Sequence, residues 1–390
     1  MNKKEFLNLG KQPIANGFLT EGNFNSEFFY DLSVGLDEDT KLVTHMDYVK
    51  PELMFNDTYA YRGSMSKTMR DHFSETSELL RKHLSDKPRV LEIGSNDGVF
   101  LKNWDKDTTI AVEPCSNFAK ETNDLGYLTY DGFWTKQLSE TIVEENGWMD
   151  LIFAANCICH IPDLDQTFAA IENTLTDHGF FVFEDPSLVK MINENSYDQI
   201  YDEHPHIFSI TALKTILERN GLTIVRVDNT PVHGGSNRIW VQRTMFAKPD
   251  ESVENNLTHE KIIGLDDPYT FERFANKVSD SKTDLVRLLS RCADSGKKVI
   301  SYGATSKSTT VFNYCGIGPD LIQYITDTTP EKQNKFSPGV HIPIVKPEGN
   351  FDNSVDFAFL GAWNFAQEIR NKESKYTGKF ITHVPVVRIV

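Results

Sequence analysis

Glu92, Asn96, Asp97 and Glu113 are the residues whose types and spacing carry most chemistry in this 390-residue chain. Glu92 ends a buried-strand pattern (Val90, Leu91, Ile93) that runs into Gly94-Ser95-Asn96-Asp97-Gly98 and then into an apolar helix start. Such a turn brings backbone N–H groups close to a ligand, because Gly94 and Gly98 carry no Cβ. The middle glycine of a dinucleotide fingerprint is missing, and no Gly-Lys-Ser/Thr comes after it to cradle phosphates. A carboxylate at the strand end suits instead a ligand with an amine and a positive charge. The next strand pattern, TTIAVEP (108–114), reaches Glu113 about 20 residues on, where an acidic side chain accepts hydrogen bonds from both ribose hydroxyls.

A second group has the types needed for proton transfer. Tyr201-Asp202-Glu203-His204 comes after the strand that closes at Glu184-Asp185-Pro186, and in open α/β sheets ligands lie beyond such strand ends. An imidazole titrates near neutrality and suits proton abstraction. Glu203 is placed to orient the ring or raise its basicity, and Tyr201 offers an O–H to a developing oxyanion. Without that context a loop His beside a Glu is more often a solvated pair. His160 closes the strand pattern 149–161; His206 and His233 have no feature that sets them ahead. Cys157 and Cys159 point the same way on that strand, and with no second pair nearby no zinc site is expected there.

These residues need elements to hold them. A chain of 390 residues exceeds one core, so two or three domains are expected. Hydrophobic content of 39% and charged content of 25% describe a globular protein. A net charge of −16 disfavours nucleic acid, yet allows an anionic small substrate where a few cations converge. Five scattered cysteines fit a reducing compartment. No stretch approaches the roughly 20 apolar residues that span a bilayer, and the start MNKKEFLNLG lacks an apolar signal core, so a cytoplasmic location is expected.

Residues 1–75 read as a lead domain of short mixed runs that must pack on later segments of the chain, and a helix pattern over 65–84 leads into the ligand-binding strand. Residues 76–247 alternate strand and helix, which implies a mostly parallel sheet covered on both faces, its last two strands pairing with each other. The polar stretch 248–261 reads as a linker. Phe271, Phe274, Val278, Leu285, Leu288 and Leu289 recur at helical spacing, and strands at 297–304, 321–327, 355–363 and 379–390 complete a second, smaller α/β domain over 248–390. There, Gly303 and Lys307 lie where a strand opens into a helix, a place to cradle phosphate; Asn237 and Arg238, after Gly234-Gly235, are further candidates.

At this point the motifs combine. LGKQPIANGF (9–18), YAYRGSMSKTMRDHF (59–73), LEIGSNDGVFL (91–101), CHIPDL (159–164) and QIYDEHPHIFS (199–209) are succeeded by VHGGSNRI (232–239), SYGATSKSTTVFNYCGIG (301–318), PGVHIPI (338–344) and AWNFAQEI (362–369). Over nearly its whole length the chain resembles the S-adenosylmethionine (SAM)-dependent sugar C-methyltransferases that act on nucleotide-linked 4-keto-deoxysugars, related to the C-3 methyltransferases. The resemblance implies a central Rossmann-like methyltransferase sheet between a small N-terminal domain and a C-terminal α/β domain that binds the nucleotide sugar. It implies that Glu92, Gly94, Asn96, Asp97, Gly98 and Glu113 hold SAM, with Pro114 and Asn156 beside them. His204 would be the base that removes the proton α to the ketone, supported by Glu203, with Tyr201 and His160 lining the reacting carbon. Tyr61, rather than Tyr59, would reach into the same pocket, and Asn237, Arg238, Gly303, Lys307 and Asn313 would serve the nucleotide-linked sugar, for example a dTDP sugar.

Two departures stand out. The family usually carries paired cysteines for zinc in its lead domain, whereas this chain has Asp37 and Thr40 at the apparent second pair and no counterpart of the first, so no metal is expected. Ile207-Phe208 replaces the aromatic pair common before the serine of the base motif. O- or N-methylation of a small metabolite, and SAM or nucleotide binding without turnover, are the alternative readings.

Overall fold

The structure, a computed structural model, describes residues 2–390 and is built on three β-sheets. β1 (Lys3–Pro13) and β2 (Phe29–Asp37) pair antiparallel, with Lys3 opposite Asp37 and Pro13 opposite Phe29, and β3 (Val43–His45) adds to β2. Leu7 and Leu9, two apart in β1, share one buried face, as strand pleating requires. Asp37 accepts hydrogen bonds from the Thr40 backbone N–H (2.8 Å) and hydroxyl (2.7 Å). The two positions where thiolates would stand are thus joined directly.

The lead strands do pack on a later element, and it is the C-terminal one. Leu7, Leu9, Leu32 and Val34 share a core with Phe271, Phe274, Val278 and Leu285 of the helix Pro268–Asp294. Each such fully buried side chain contributes about 1.5–3 kcal/mol.

The central sheet begins at β4 (Val90–Ile93), moves outward to β5 (Thr109–Glu113) and β6 (Leu128–Asp131), then crosses to β7 (Met149–Ala155) and β8 (Leu175–Pro186) on the other side. These five strands are parallel. β9 (His206–Ile207) leaves this sheet and pairs with β3. β10 (Leu222–Thr230) and β11 (Ser236–Arg243) pair antiparallel, as expected, and β11 also runs antiparallel to β8. The order β10-β11-β8-β7-β4-β5-β6 places a topological switch at β4, where open α/β sheets form their ligand crevice.

In the third sheet β12 (Val299–Tyr302) lies between β13 (Ile325–Thr326) and β15 (Phe357–Leu360), all parallel. β14 (Ile344–Val345) extends the β13 side, and β16 (Lys379–Thr382) and antiparallel β17 (Arg388–Ile389) extend the other. This gives a second switch point, at β12.

Three local readings need correction. The stretch 248–261 is a helix, Glu251–Ile263, rather than a linker. Asp250 caps it, and Glu260 is buried because its carboxylate accepts from the Ile210 and Thr211 N–H groups (2.6 and 2.8 Å) and the Thr211 hydroxyl. After Gly98 the chain makes two 3₁₀ turns, Leu101–Asn103 and Lys106–Thr108, before β5 rather than an α-helix. The strand over 149–161 stops at Ala155; Cys159 and His160 lie in a 3₁₀ turn, so Cys157 and Cys159 do not share a strand face.

Candidate active site

The two switch points open into one cavity of about 490 Å³. The central sheet supplies Glu92, Gly94 and Asn96 from the β4 end, Glu113 and Pro114 from β5, and Asn156 from β7. The third sheet supplies Thr305, Ser306 and Lys307 after β12, and the lead segment supplies Asn16, Tyr59 and Tyr61. Tyr201, Glu203, His204 and His160 complete the wall between them.

At the central-sheet end the chemistry is acidic and short of partners. Glu92 Oε2 is buried without a hydrogen-bond partner. Burial, then Glu113 and Asp97, holds the Glu92 carboxyl well above the usual carboxylate range. Glu113 accepts from the N–H groups of Asn96 (2.7 Å) and Cys115 (2.8 Å), and an ionised carboxylate has room for further donors. Gly94 turns at φ +76°, and a Cβ there would stand 2.7 Å from Cys157 Sγ. A cationic, amine- and ribose-bearing cofactor such as SAM fits this donor set.

Two cofactor candidates have other employment. The Asn96 side chain accepts from Gly63 N–H (2.9 Å) and donates to the Tyr61 carbonyl (3.0 Å), so it ties the turn to the lead segment. The Asp97 carboxylate accepts from the Ser64 N–H and hydroxyl, and neither Asp97 nor Gly98 lines the cavity.

At the other end His204 is buried and its tautomer is determined. The Gln199 carbonyl can only accept, so Nδ1 carries the proton and donates it at 2.8 Å; Nε2 keeps the lone pair and accepts from the Tyr201 hydroxyl at 2.8 Å. Burial, with His160 and Lys307 adding to it, keeps this imidazole well below its ordinary 6.5. Burial also pushes the Tyr201 hydroxyl up. His160 stacks between Phe55 (5.3 Å) and His204 (5.1 Å), and burial draws its imidazole down to about 3.

Glu203 does not touch the His204 ring. Its carboxylate accepts from Asn16 Nδ2 (2.6 Å) and from the Tyr59 hydroxyl (2.8 Å), so it anchors the lead segment to the base-bearing loop. Both tyrosines line the cavity, but Tyr59 is the one bonded to this loop. Asn16, Phe55 and Lys332 are wall residues that local sequence did not single out, although Asn16 sits inside the PIANG run.

Of the substrate candidates only Lys307 reaches the cavity; among the described residues its ammonium has no ion-pair partner. Arg238 is instead bound to Glu184 (2.6 Å) and Thr76 (2.5 Å), and Glu184 also holds His72 (2.6 Å). Asn237 accepts from Asn229 in the β10–β11 pairing. Asn313 donates to the Thr309 and Pro338 carbonyls, and Gly303 turns at φ +96° outside the cavity wall.

A family model described as "Putative zinc binding domain" matches residues 1–55, one for a methyltransferase domain matches 61–227, and one for a C-methyltransferase C-terminal domain matches 231–385. Residues 1–55 contain no cysteine and a single histidine, so they do not fit a thiolate zinc site. The C-methyltransferase NovU of Streptomyces niveus is 30% identical over 397 residues, 99% of this chain and 94% of that protein. Among solved structures, a S-adenosylmethionine-dependent methyltransferase from Clostridium acetobutylicum ATCC 824 overlays 44% of this chain and 91% of its own, with 16% identity and a TM-score of 0.35. The CurJ carbon methyltransferase overlays 48% of this chain and 57% of its own, with 18% identity and a TM-score of 0.34.

Proposed function

Because the chain belongs to the SAM-dependent C-methyltransferases, we propose that it methylates the carbon α to the ketone of a nucleotide-linked 4-keto-deoxysugar, with His204 as the base. The observation that carries this reading is the Nδ1-protonated imidazole of His204, which lines the cavity between the two switch points with its Nε2 lone pair held at rest only by the Tyr201 hydroxyl.

A carbon beside a ketone is a weak acid, so a base alone does not suffice. The oxygen must be met by preorganised donors as charge develops, each typically contributing about 3 kcal/mol. Tyr201 is such a donor: its hydroxyl rests on His204 Nε2 and can turn to the ketone oxygen as the ring takes the proton. Burial favours the neutral ring at rest and so favours proton uptake only when an anion forms beside it. Glu92 and Glu113 would hold the amine and ribose of SAM, with Gly94, Pro114 and Asn156 against it. SAM supplies a methyl group on an already activated sulfonium. Lys307 and Lys332 at the opposite wall favour an anionic substrate, and a diphosphate has that charge. Tyr59, Asn16 and Glu203 hold the lead segment against this wall and exclude water.

Incubation of the purified protein with 4-keto nucleotide sugars and methyl-labelled SAM tests the reading by product NMR. A labelled methyl on carbon supports it. A label on oxygen or nitrogen, or binding without turnover across the panel, replaces it with one of the two alternatives.

A further inference from the structure

Cys159, which the proposed reaction does not use, forms a cluster with two residues that it does. Cys159, His160 and His204 each offer a ligand atom, and these three atoms lie within 4.8 Å of one another. A thiolate and two imidazoles are the donor set that zinc-like cations prefer, and drawing together by about 1 Å brings them to tetrahedral spacing. Their distance in sequence, 45 residues between Cys159 and His204, hides the cluster from any spacing rule.

The surroundings are those of a metal site. The His204 Nδ1–H is committed to the Gln199 carbonyl, which leaves Nε2 as ligand once the Tyr201 hydroxyl turns away from it; a carbonyl behind a metal-bound imidazole is the usual arrangement. His160 Nε2 is buried with no hydrogen-bond partner. Behind Cys159 stands Asp185, 1% exposed, which accepts the Cys159 N–H at 3.3 Å and keeps its second oxygen unpartnered. That carboxylate can take the proton the thiol gives up when a cation binds. His160 and His204 line the cavity, so an ion has a path in and its fourth position faces the cavity, the open coordination of three-ligand sites.

We propose that a thiophilic divalent cation of the zinc or cobalt type binds Cys159, His160 and His204, and that it silences the enzyme reversibly by occupying the base. The binding stands on the geometry alone; only the silencing rests on His204 being the base of the proposed reaction.

Titration of the full chain with Co²⁺, without substrate, gives one equivalent of a near-ultraviolet thiolate-to-cobalt charge-transfer band, and Cys159→Ala removes it. X-ray absorption of the zinc-loaded wild-type protein, which needs no variant, finds one sulfur and two imidazole nitrogens around the metal. In methyl-transfer assays Zn²⁺ stops the wild type and EDTA restores it, while Cys159→Ala still turns over and tolerates on the order of 10–100-fold more zinc. A shell of oxygens or of several sulfurs, or a cobalt band that survives Cys159→Ala, overturns the site. Full turnover in zinc-loaded protein overturns the silencing. Failure of the metal-free protein to methylate any keto sugar counts against the substrate reading and leaves the spectroscopic result intact.

Discussion

The Tyr201 hydroxyl and His204 Nε2 stand 2.8 Å apart, and the opposite ring nitrogen is held by the Gln199 carbonyl. The candidate base and the candidate oxyanion donor therefore occupy each other at rest. A substrate carbonyl arriving between them would claim the hydroxyl and free the lone pair in the same motion.

Replacing His204 with Asn removes the proton acceptor. Exchange of the substrate α-proton with deuterated water and methyl transfer should both fall by roughly 10²–10⁴-fold. SAM affinity by calorimetry should persist, because Glu92 and Glu113 are on the other wall. Undiminished exchange would take His204 out of its role.

Tyr201→Phe keeps the ring packing and deletes one donor. It should lower kcat by about 10²–10³-fold and leave SAM binding unchanged. A rate within a few-fold of wild type would mean that another group meets the oxygen.

Burial sets the pH dependence. Protonated His204 is disfavoured in its buried site, so the active neutral ring persists below the ordinary imidazole value of 6.5. A plot of kcat/KM against pH should run level from neutrality through 6.5 and fall only further into the acid range. An acid limb centred at 6.5 contradicts this.

Arg238 separates structure from recognition. Arg238→Ala leaves the buried Glu184 carboxylate without its guanidinium counter-charge, and should cost about 3–5 kcal/mol of stability, read as a lower melting temperature. KM for the nucleotide sugar should hold in the protein that remains folded. A raised KM at unchanged stability would return Arg238 to the substrate site.

Asn16 and Glu203 should be coupled. A double-mutant cycle of Asn16→Ala and Glu203→Gln on kcat/KM should give an interaction energy of about 0.5–3 kcal/mol, since both act on one hydrogen bond. Strict additivity would show that the contact does no positioning.

The legible parts of this chain were local. Val90–Ile93 running into Gly94 identified the crevice because strand, turn and carboxylate lie within five residues. The stripe on Pro268–Asp294 was legible because its helical period is long and strong. Glu251–Ile263 was not: its inward face is Val253, Leu257 and the buried carboxylate of Glu260, too few apolar positions to show as a stripe in sequence. The use of Arg238 depends on Glu184, 54 residues away, and that of Glu203 on Asn16, 187 residues away. Neither partner can be inferred from neighbours in the chain. Tyr59 and Tyr61 both line the cavity, and only the fold shows which hydroxyl meets Glu203.

The strand β9, two residues past His204, belongs to the first sheet, and Ala15 is gripped on both sides. Its N–H donates to Asp202, and its carbonyl accepts from Thr309 of the helix Ser306–Cys315. Opening and closing thirds of the polypeptide therefore meet beneath the middle one. During synthesis on the ribosome the cofactor crevice can close once the middle has emerged, whereas the floor under the imidazole waits for the last hundred or so residues. Chimaeras that borrow a relative's tail would exchange that floor with it, and would need Ala15 and its two clamps rebuilt.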